Sequence, residues 1–323
     1  MTTATMLYGP VTADLSLVEA ALARVREVEY EPLRRMLDHI LAGGGKRVRP
    51  ALALLAGNFG SYDLAKLAPL AASIELLHTA TLVHDDVIDK SPLRRGLPTA
   101  HSLFGNSASV MVGDFMFAHA ADLVASTDSV PVVRLFARTI MSLATGELAQ
   151  DVSAFDYRKT LQEYFARIGG KTASLFAAAT EGGALIAGCA PGWVEALRDY
   201  GFNYGMAFQI VDDILDFTGS EAALGKPAGS DLLSGTLTLP SLLLMERAGA
   251  NNPVRRFFLA RRNREQRLAE VLEAIRGSGA LAESAAVARD FANRALAALD
   301  PLPVGPARVA LADLAEFVLS RGS

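Results

Sequence analysis

Two aspartate motifs of identical spacing lie inside apolar stretches that are compatible with long α-helices. The first reads D-D-V-I-D over residues 85–89, and the second reads D-D-I-L-D over residues 212–216. Residues i and i+4 of an α-helix lie on one face, so the first and last aspartates of each motif point the same way. Because an unpaired carboxylate is costly to bury in an apolar setting, the two motifs predict a helical fold built around a polar cavity.

Carboxylates on two facing walls of such a cavity would repel each other unless cations lay between them. Oxygen ligands suit Mg²⁺, which usually keeps some of its waters and shares the phosphates of a substrate. The motifs therefore predict opposite carboxylate walls that hold Mg²⁺ and a polyphosphate. A single motif is equally compatible with a solvated helix face, whereas two copies flanked by apolar residues favour the cavity.

Composition excludes several classes of protein. The chain has 323 residues, 51% of them hydrophobic, a net charge of −4 and one cysteine. The absence of a basic excess argues against nucleic-acid binding, and one cysteine excludes an internal disulfide. No uninterrupted apolar stretch reaches about 18 residues, so no transmembrane segment is expected. The first residues lack a basic start followed by an apolar block, so we expect a cytoplasmic protein without a secretory signal.

Helical periodicity dominates the chain, and alternating β-type runs are nearly absent. No linker is long enough to mark a domain boundary, so the prediction is a single all-α domain over residues 1–323. The two motifs are expected near the C-terminal ends of the longest buried helices. Predicted helices cover residues 15–28, 30–41, 49–57, 63–89, 107–125, 131–152, 160–188, 192–217, 238–248, 252–276, 281–298 and 305–320.

Three basic segments are candidates for binding phosphate, because glycine lets the backbone approach an anion that lysine and arginine neutralise. They are the G-G-G-K-R-V-R-P stretch at 43–50, Arg94-Arg95 just after the first motif, and Lys171-Thr172 after two glycines. The first lacks Walker spacing and, taken alone, is more typical of a solvated turn than of a phosphate site. His78 lies two helical turns before Asp85, and site and core roles are equally compatible with it. Structural roles are expected for the remaining histidines, His39, His84, His101 and His119.

Together these segments resemble the trans-type polyprenyl diphosphate synthases, in particular their longer-chain subgroup. The resemblance covers about residues 43–240 and rests on GGGKRVRP, ELLHTATLVHDDVIDKSPLRRGLPTAH, GDFMFA, TGELAQD, GGKTASLF, GMAFQIVDDILDFTG, LGKPAGSDL and TLP. Members of this family condense an allylic diphosphate with isopentenyl diphosphate in successive five-carbon steps. The resemblance implies a helical bundle of the isoprenoid synthase type with a central active-site cavity, and three Mg²⁺ ions with diphosphate bound.

The resemblance also implies roles for individual residues. The expected Mg²⁺ ligands are Asp85, Asp89 and Asp212. The expected catalytic set comprises these three with Asp86, Asp213, Asp216, Lys171 and Lys226. The allylic diphosphate is expected to contact Arg94, Lys171 and Lys226, with Thr172 and Gln209 near its reaction centre. Isopentenyl diphosphate is expected to bind Lys46, Arg49, His78 and Arg95.

Two features bear on substrate and product. Many members carry lysine in the loop before T-L-P, where this chain has Thr236, which cannot supply that cation.

Short-chain members tend to carry an aromatic residue just before the first motif, whereas Ala80 and Thr81 are small. We therefore expect a long product of six or more isoprene units, with Phe117 as a tunnel wall and Ala118 leaving space. The alternative is that Ala80 and Thr81 are ordinary packing residues.

Other functions compatible with the sequence are a geranylgeranyl diphosphate synthase, a terpene cyclase, and a regulatory subunit of a heteromeric synthase. A cyclase needs no isopentenyl diphosphate site, and a regulatory subunit should have lost aspartates, so the basic segments and intact motifs disfavour both. The high apolar fraction and the resemblance predict a homodimer.

Overall fold

A computed structural model describes residues 7–94, 96–219, 227–249, 252–260 and 263–321. Arg95 and Lys226, both expected to bind substrate, lie outside the described residues. Regular structure in the described part is almost entirely helical. Its strands are β1 (Leu93–Arg94) and β2 (Leu97–Pro98), an antiparallel pair that follows the first motif. The predicted all-α class is therefore confirmed.

The helices follow the predicted order closely. Their bounds are α1 Leu15–Arg24, α2 Glu31–Ala42, α3 Val48–Gly57, α4 Leu64–Ile88, α5 Ala100–Phe104, α6 Asn106–Ala125, α7 Val130–Val152, α8 Leu161–Ile168, α9 Ser174–Ile186, α10 Pro191–Thr218, α11 Ser230–Leu233, α12 Leu239–Ala248, α13 Pro253–Leu259, α14 Arg264–Gly277, α15 Ala280–Ala298 and α16 Pro306–Ser320. A 3₁₀ turn spans Gly9–Val11, and a π-helical turn at Gly169–Ala173 separates α8 from α9.

Two predicted helices differ from the structure. The helix predicted over 160–188 contains the π-helical turn, and the one predicted over 252–276 is two helices, α13 and α14. Ala260, which follows α13, has an extended backbone, and Asn263, which precedes α14, has a φ of 58°. Neither conformation continues an α-helix.

The chain divides into two compact units. The first comprises Met1–Ile140, Leu175–Gly201 and Leu296–Leu314, and the second comprises Met141–Ser174, Phe202–Ala295 and Ala315–Ser323. The first aspartate motif belongs to the first unit, and the second motif belongs to the second. A single domain over residues 1–323 stays a prediction.

Helix α4 forms the core of the first unit and carries the first motif at its C-terminal end. Its sequence is apolar on every face, so buried residues run from Leu67 to Asp86. Helices α1, α3 and α6 pack around it. A Cβ on Gly183 of α9 would lie 2.1 Å from the carbonyl oxygen of Ala53, so glycine is required where α9 crosses α3.

The core of the second unit surrounds the C-terminal half of α10, which carries the second motif. Its buried apolar side chains come from α8, α10 and α12–α14, and include Ile168, Ile210, Val211, Ile214, Phe217, Leu239, Leu242, Val254, Phe257, Val271 and Ile275. This packing places the second motif on a helix that is held on several sides.

Helix α6 is long and apolar enough to cross a membrane by length and composition alone. No such segment is expected from the sequence, because Asp114 and Asp122 interrupt the apolar run of this helix. One helix of this kind in the described residues does not establish a membrane span, since core helices of soluble proteins can have the same length and hydropathy. Here α6 packs against α4.

Candidate active site

The first motif closes α4. Asp89 is the C-cap residue, and its backbone N–H donates to the carbonyl oxygen of Asp85 at 2.8 Å. Asp86 is 5% exposed, whereas Asp85 is half-buried and Asp89 is exposed. Two of the three carboxylates are therefore open to solvent at the negative end of a helix dipole, where a bound cation is favoured.

Arg94 on β1 neutralises the buried aspartate of this motif. Its Nε lies 2.9 Å and 3.0 Å from the two carboxylate oxygens of Asp86, and its Nη2 lies 2.8 Å from Oδ1. From the family resemblance, Arg94 is expected to contact the allylic diphosphate. In the structure this guanidinium is bound to Asp86, and its contact with a diphosphate stays a prediction.

A cavity of about 100 Å³ in the first unit brings the glycine turn next to the first motif. Its lining includes His39, Gly43, Gly44, Arg47, Glu75, His78, Asp86 and Arg94. The cavity thus brings His78, the glycine turn and Asp86 together, and the binding role expected of His78 stays a prediction. Lys46 is exposed and Arg49 is half-buried, with its guanidinium carbon 4.2 Å from the ring centre of Phe176.

Arg47 and Glu75, which the sequence analysis did not single out, fix the glycine turn to α4. Arg47 precedes α3 with a φ of 52°, and its Nη1 donates to Glu75 at 2.8 Å. It also pairs with Glu19. Glu75 is only 7% exposed. A buried acid three residues before His78 in an apolar helix was the signal that could have identified this anchor.

The other histidines have the structural contacts expected of them. A ring nitrogen of His39 lies 2.8 Å from the carbonyl oxygen of Pro98, although His39 also lines the cavity. Ring nitrogens of His84 and His101 likewise lie 3.1 Å and 2.8 Å from backbone carbonyl oxygens. His119 lies beside the ring of Phe115.

The second motif exposes one aspartate and buries two. The side chain of Asp212 is 37% exposed, whereas residues Asp213 and Asp216 are 2% and 1% exposed. Asp216 accepts hydrogen bonds from the hydroxyl of Ser230 at 2.8 Å and from the backbone N–H of Asp231 at 3.3 Å. Asp216 therefore fixes the start of α11 to α10.

Asp213 is held from two directions. Its Oδ2 accepts from the hydroxyl of Tyr164 at 2.7 Å, and its Oδ1 accepts from the side-chain amide of Gln209 at 2.8 Å. Burial raises the pKa of Asp213 to about 7, and it also raises the pKa of Tyr164. Of the three aspartates, Asp212 is thus the one whose carboxylate faces solvent.

Asp212 forms an ion pair with Arg321, which lies 109 residues further along the chain. Nη2 of Arg321 lies 2.9 Å from Oδ1 of Asp212, and the guanidinium carbon lies 4.3 Å from the ring centre of Phe208. Nothing in the local sequence pattern around residue 321 indicated this ion pair.

Lys171 and Thr172 lie on the π-helical turn, a feature frequently found at functional sites. Nζ of Lys171 lies 2.6 Å from Glu147, and the hydroxyl of Thr172 donates to Gln209 at 2.7 Å. A Cβ on Gly146 would lie 2.6 Å from the backbone nitrogen of Lys171, so glycine allows α7 to approach this turn. The predicted neighbours Thr172 and Gln209 are therefore in contact.

The residues expected to set product length have different surroundings. Ala80 is fully buried, and the hydroxyl of Thr81 donates to the carbonyl oxygen of His78 at 2.7 Å. Phe117 is half-buried, with its ring centre 5.3 Å from that of His84. Ala118 lies on the exposed side of α6. A role in product length stays a prediction for all four.

Among the described residues, no group of three or more His, Cys, Asp or Glu side chains is arranged to hold a metal ion by itself. The available donors are carboxylate oxygens, which suit Mg²⁺ when water and a phosphate complete its shell. The donor set therefore fits a divalent cation that binds together with a diphosphate.

A family model matches most of this chain, and two relatives match nearly all of it. Residues 30–275 match the family model described as polyprenyl synthetase. The heptaprenyl diphosphate synthase component 2 of Geobacillus stearothermophilus is 41% identical over 98% of both chains. The octaprenyl diphosphate synthase of Escherichia coli K12 is 38% identical over 95% of this chain and 96% of its own.

A solved structure gives the same result for the fold. The crystal structure of a polyprenyl synthase from Caulobacter crescentus CB15, complexed with calcium and isoprenyl diphosphate, superposes with a TM-score of 0.92 at 40% identity. The match covers 97% of this chain and 96% of that one. The expected isoprenoid synthase type of fold is therefore confirmed.

Proposed function

Because this chain belongs to the polyprenyl synthetase family, we propose that it is a trans-prenyltransferase. Its reaction condenses an allylic prenyl diphosphate with isopentenyl diphosphate, head to tail, to make a polyprenyl diphosphate of medium or long chain. The observation that carries this proposal is the pair of intact D-D-x-x-D motifs, each at the C-terminal end of a long buried helix. Relatives named for heptaprenyl and octaprenyl products favour a long product over the geranylgeranyl alternative.

Within this proposal, Asp85, Asp89 and Asp212 hold Mg²⁺, with three ions bound when diphosphate is present. Asp89 and the partly exposed Asp85 and Asp212 are within reach of a cation from solvent, which supports this assignment. The bound cations neutralise the charge that develops on the diphosphate leaving group. Asp86, Asp213 and Asp216 hold the shape of the motifs around them.

The two substrates bind through different cations. Lys46, Arg49, His78 and Arg95 bind isopentenyl diphosphate. His78 lines the cavity beside the glycine turn, which supports its place in this group. Lys171, Lys226 and Arg94 contact the allylic diphosphate. Thr172 and Gln209 lie near the allylic carbon, where apolar surroundings protect the developing positive charge from water.

The active form is a homodimer. Helices α6 and α7 expose apolar side chains that a soluble monomer would leave in water: Val110, Met111, Val130, Val133, Met141, Leu148 and Val152. Light scattering of the purified chain should give about twice the monomer mass of 34.2 kDa. A monomer that gains activity only with a second protein would instead match a heteromeric synthase, as the name component 2 of one relative suggests for that enzyme.

The decisive experiment is incubation of the purified chain with isopentenyl diphosphate, each short allylic primer and Mg²⁺, followed by product sizing. Products of six or more isoprene units are expected. A twenty-carbon end product would support the geranylgeranyl alternative. Complete absence of condensation by the purified chain, alone and in mixtures with candidate subunits, would overturn the proposal.

A further inference from the structure

Four side chains of the second unit form one hydrogen-bonded row from Tyr164 to Thr172. The Tyr164 hydroxyl lies 2.7 Å from Asp213, the Gln209 amide lies 2.8 Å from Asp213, and the Thr172 hydroxyl lies 2.7 Å from Gln209. The row joins α8, α10 and the π-helical turn. Two of its members, Tyr164 and Asp213, are each 2% exposed, so they are shielded from any substrate.

The row has a definite polarity, which begins at the buried carboxylate. Both oxygens of Asp213 accept hydrogen bonds, and Gln209 presents its NH₂ group to Asp213. The amide oxygen of Gln209 then faces Thr172, and the hydroxyl proton of Thr172 points to that oxygen. A group that approaches the other side of Thr172 therefore meets oxygen lone pairs.

Loss of the tyrosine hydroxyl would remove one of the two groups that hold Asp213. The remaining amide contact leaves the carboxylate free to rotate, and the orientation of Gln209 depends on that carboxylate. Tyr164 is itself restrained by Arg167, whose guanidinium carbon lies 5.6 Å from the ring centre and whose Nη2 donates to the carbonyl oxygen of Leu237. The buried end of the row is thus its rigid end.

We propose that Tyr164 and Asp213 are positioning residues for the prenyl transfer step. They do not touch the substrate; they hold Gln209 and Thr172 in the orientation that turns lone pairs of Thr172 toward positive charge on the allylic group. This inference rests on the proposed function, because it assigns Thr172 to the allylic reaction centre.

The test compares Tyr164→Phe with Tyr200→Phe. Tyr200 is a matched control, because it is fully buried and its hydroxyl donates to the carbonyl oxygen of Leu311 at 2.7 Å. Both variants lose one buried hydrogen bond and should lose similar thermal stability. Only Tyr164→Phe should lower kcat for the first condensation, by about ten- to a hundredfold, with an unchanged KM for isopentenyl diphosphate.

A double-mutant cycle with Thr172→Val separates positioning from a general structural effect. Valine keeps the shape of Thr172 but removes the hydroxyl through which Tyr164 is proposed to act. In that background Tyr164→Phe should lower kcat no further, whereas Tyr200→Phe should leave kcat unchanged in both backgrounds. If Tyr164→Phe loses its helical circular dichroism signal, Gln209→Met interrupts the same row and takes its place in the cycle.

Wild-type kcat in Tyr164→Phe, or an equal loss of kcat in both backgrounds, would overturn the inference. Failure of the proposed function gives a different result, because the wild-type chain itself would then form no prenyl product. The stability measurement on all variants distinguishes a folding defect from a loss of orientation.

Discussion

Replacing Arg321 by glutamine should increase the apparent affinity of the protein for Mg²⁺. Arg321 lies 2.9 Å from Oδ1 of Asp212, the one solvent-facing carboxylate of the second motif. Arg321 occupies Oδ1 and repels a divalent cation, so Mg²⁺ that binds at Asp212 must overcome the attraction between the arginine and this carboxylate. The ion pair therefore competes with Mg²⁺, and its free energy reduces the binding free energy of Mg²⁺ at Asp212.

The size of this effect follows from the exposure of the pair. The side chains of Arg321 and Asp212 are 21% and 37% exposed, so solvent screens their attraction substantially. Two unit charges about 3 Å apart attract by about 1.4 kcal/mol at the dielectric constant of water. Exposed pairs measured by mutation contribute up to about 1 kcal/mol. Loss of about 1 to 1.4 kcal/mol of competition corresponds to about five- to tenfold tighter Mg²⁺ binding.

The assay is a Mg²⁺ titration of the melting temperature at a fixed concentration of inorganic diphosphate. Half-maximal stabilisation of Arg321→Gln should require about five- to tenfold less Mg²⁺ than wild type. Arg308→Gln is the control, since Arg308 pairs with Asp300 and the carbonyl oxygen of Leu302 and not with a motif. An unchanged or higher midpoint in Arg321→Gln would refute the reasoning.

Further variants test the metal, substrate and product assignments. Asp85→Ala or Asp212→Ala should reduce turnover by orders of magnitude with an unchanged circular dichroism spectrum, and near wild-type activity in either would contradict the Mg²⁺ assignment. Lys46→Ala should mainly raise the KM for isopentenyl diphosphate and Lys226→Ala that for the allylic diphosphate; equal effects on both would count against separate pockets. Ala80→Phe should shorten the product at a stability cost of about 1 to 3 kcal/mol, because Ala80 is fully buried. An unchanged product distribution would remove Ala80 from the tunnel.

Long helices could be predicted from the sequence because their apolar runs end at clear polar or glycine signals. The helix predicted over 63–89 is observed at Leu64–Ile88, and the one predicted over 192–217 is observed at Pro191–Thr218. Each bound differs by one residue. Local pattern determines such helices, so the positions of both aspartate motifs on them followed directly.

The π-helical turn could not be predicted in the same way. It depends on the close approach of α7, which Gly146 permits next to Lys171. These residues are distant in sequence, and no periodicity in the local sequence indicates their contact. The pattern over 160–188 therefore predicted one continuous helix.

The acids of the candidate site were identified from their spacing, but most of their partners were not. Arg94 follows Asp86 by eight residues, within reach across a turn. Tyr164 and Arg321 are 49 and 109 residues from the aspartates that they contact. Only tertiary folding brings such groups together, and a single tyrosine or arginine gives no pattern to detect.

The aspartates at the end of α4 that are proposed to bind Mg²⁺ also affect the stability of the metal-free protein. Asp89 caps a helix end that prefers cations, so the helix dipole opposes its negative charge. If Asp89 holds Mg²⁺ as proposed, an enzyme library screened only for heat resistance would enrich neutral residues at this position and lose catalysis. Screening in the presence of Mg²⁺ and diphosphate would then reverse that selection, since a carboxylate that binds the metal contributes to the stability of the loaded protein.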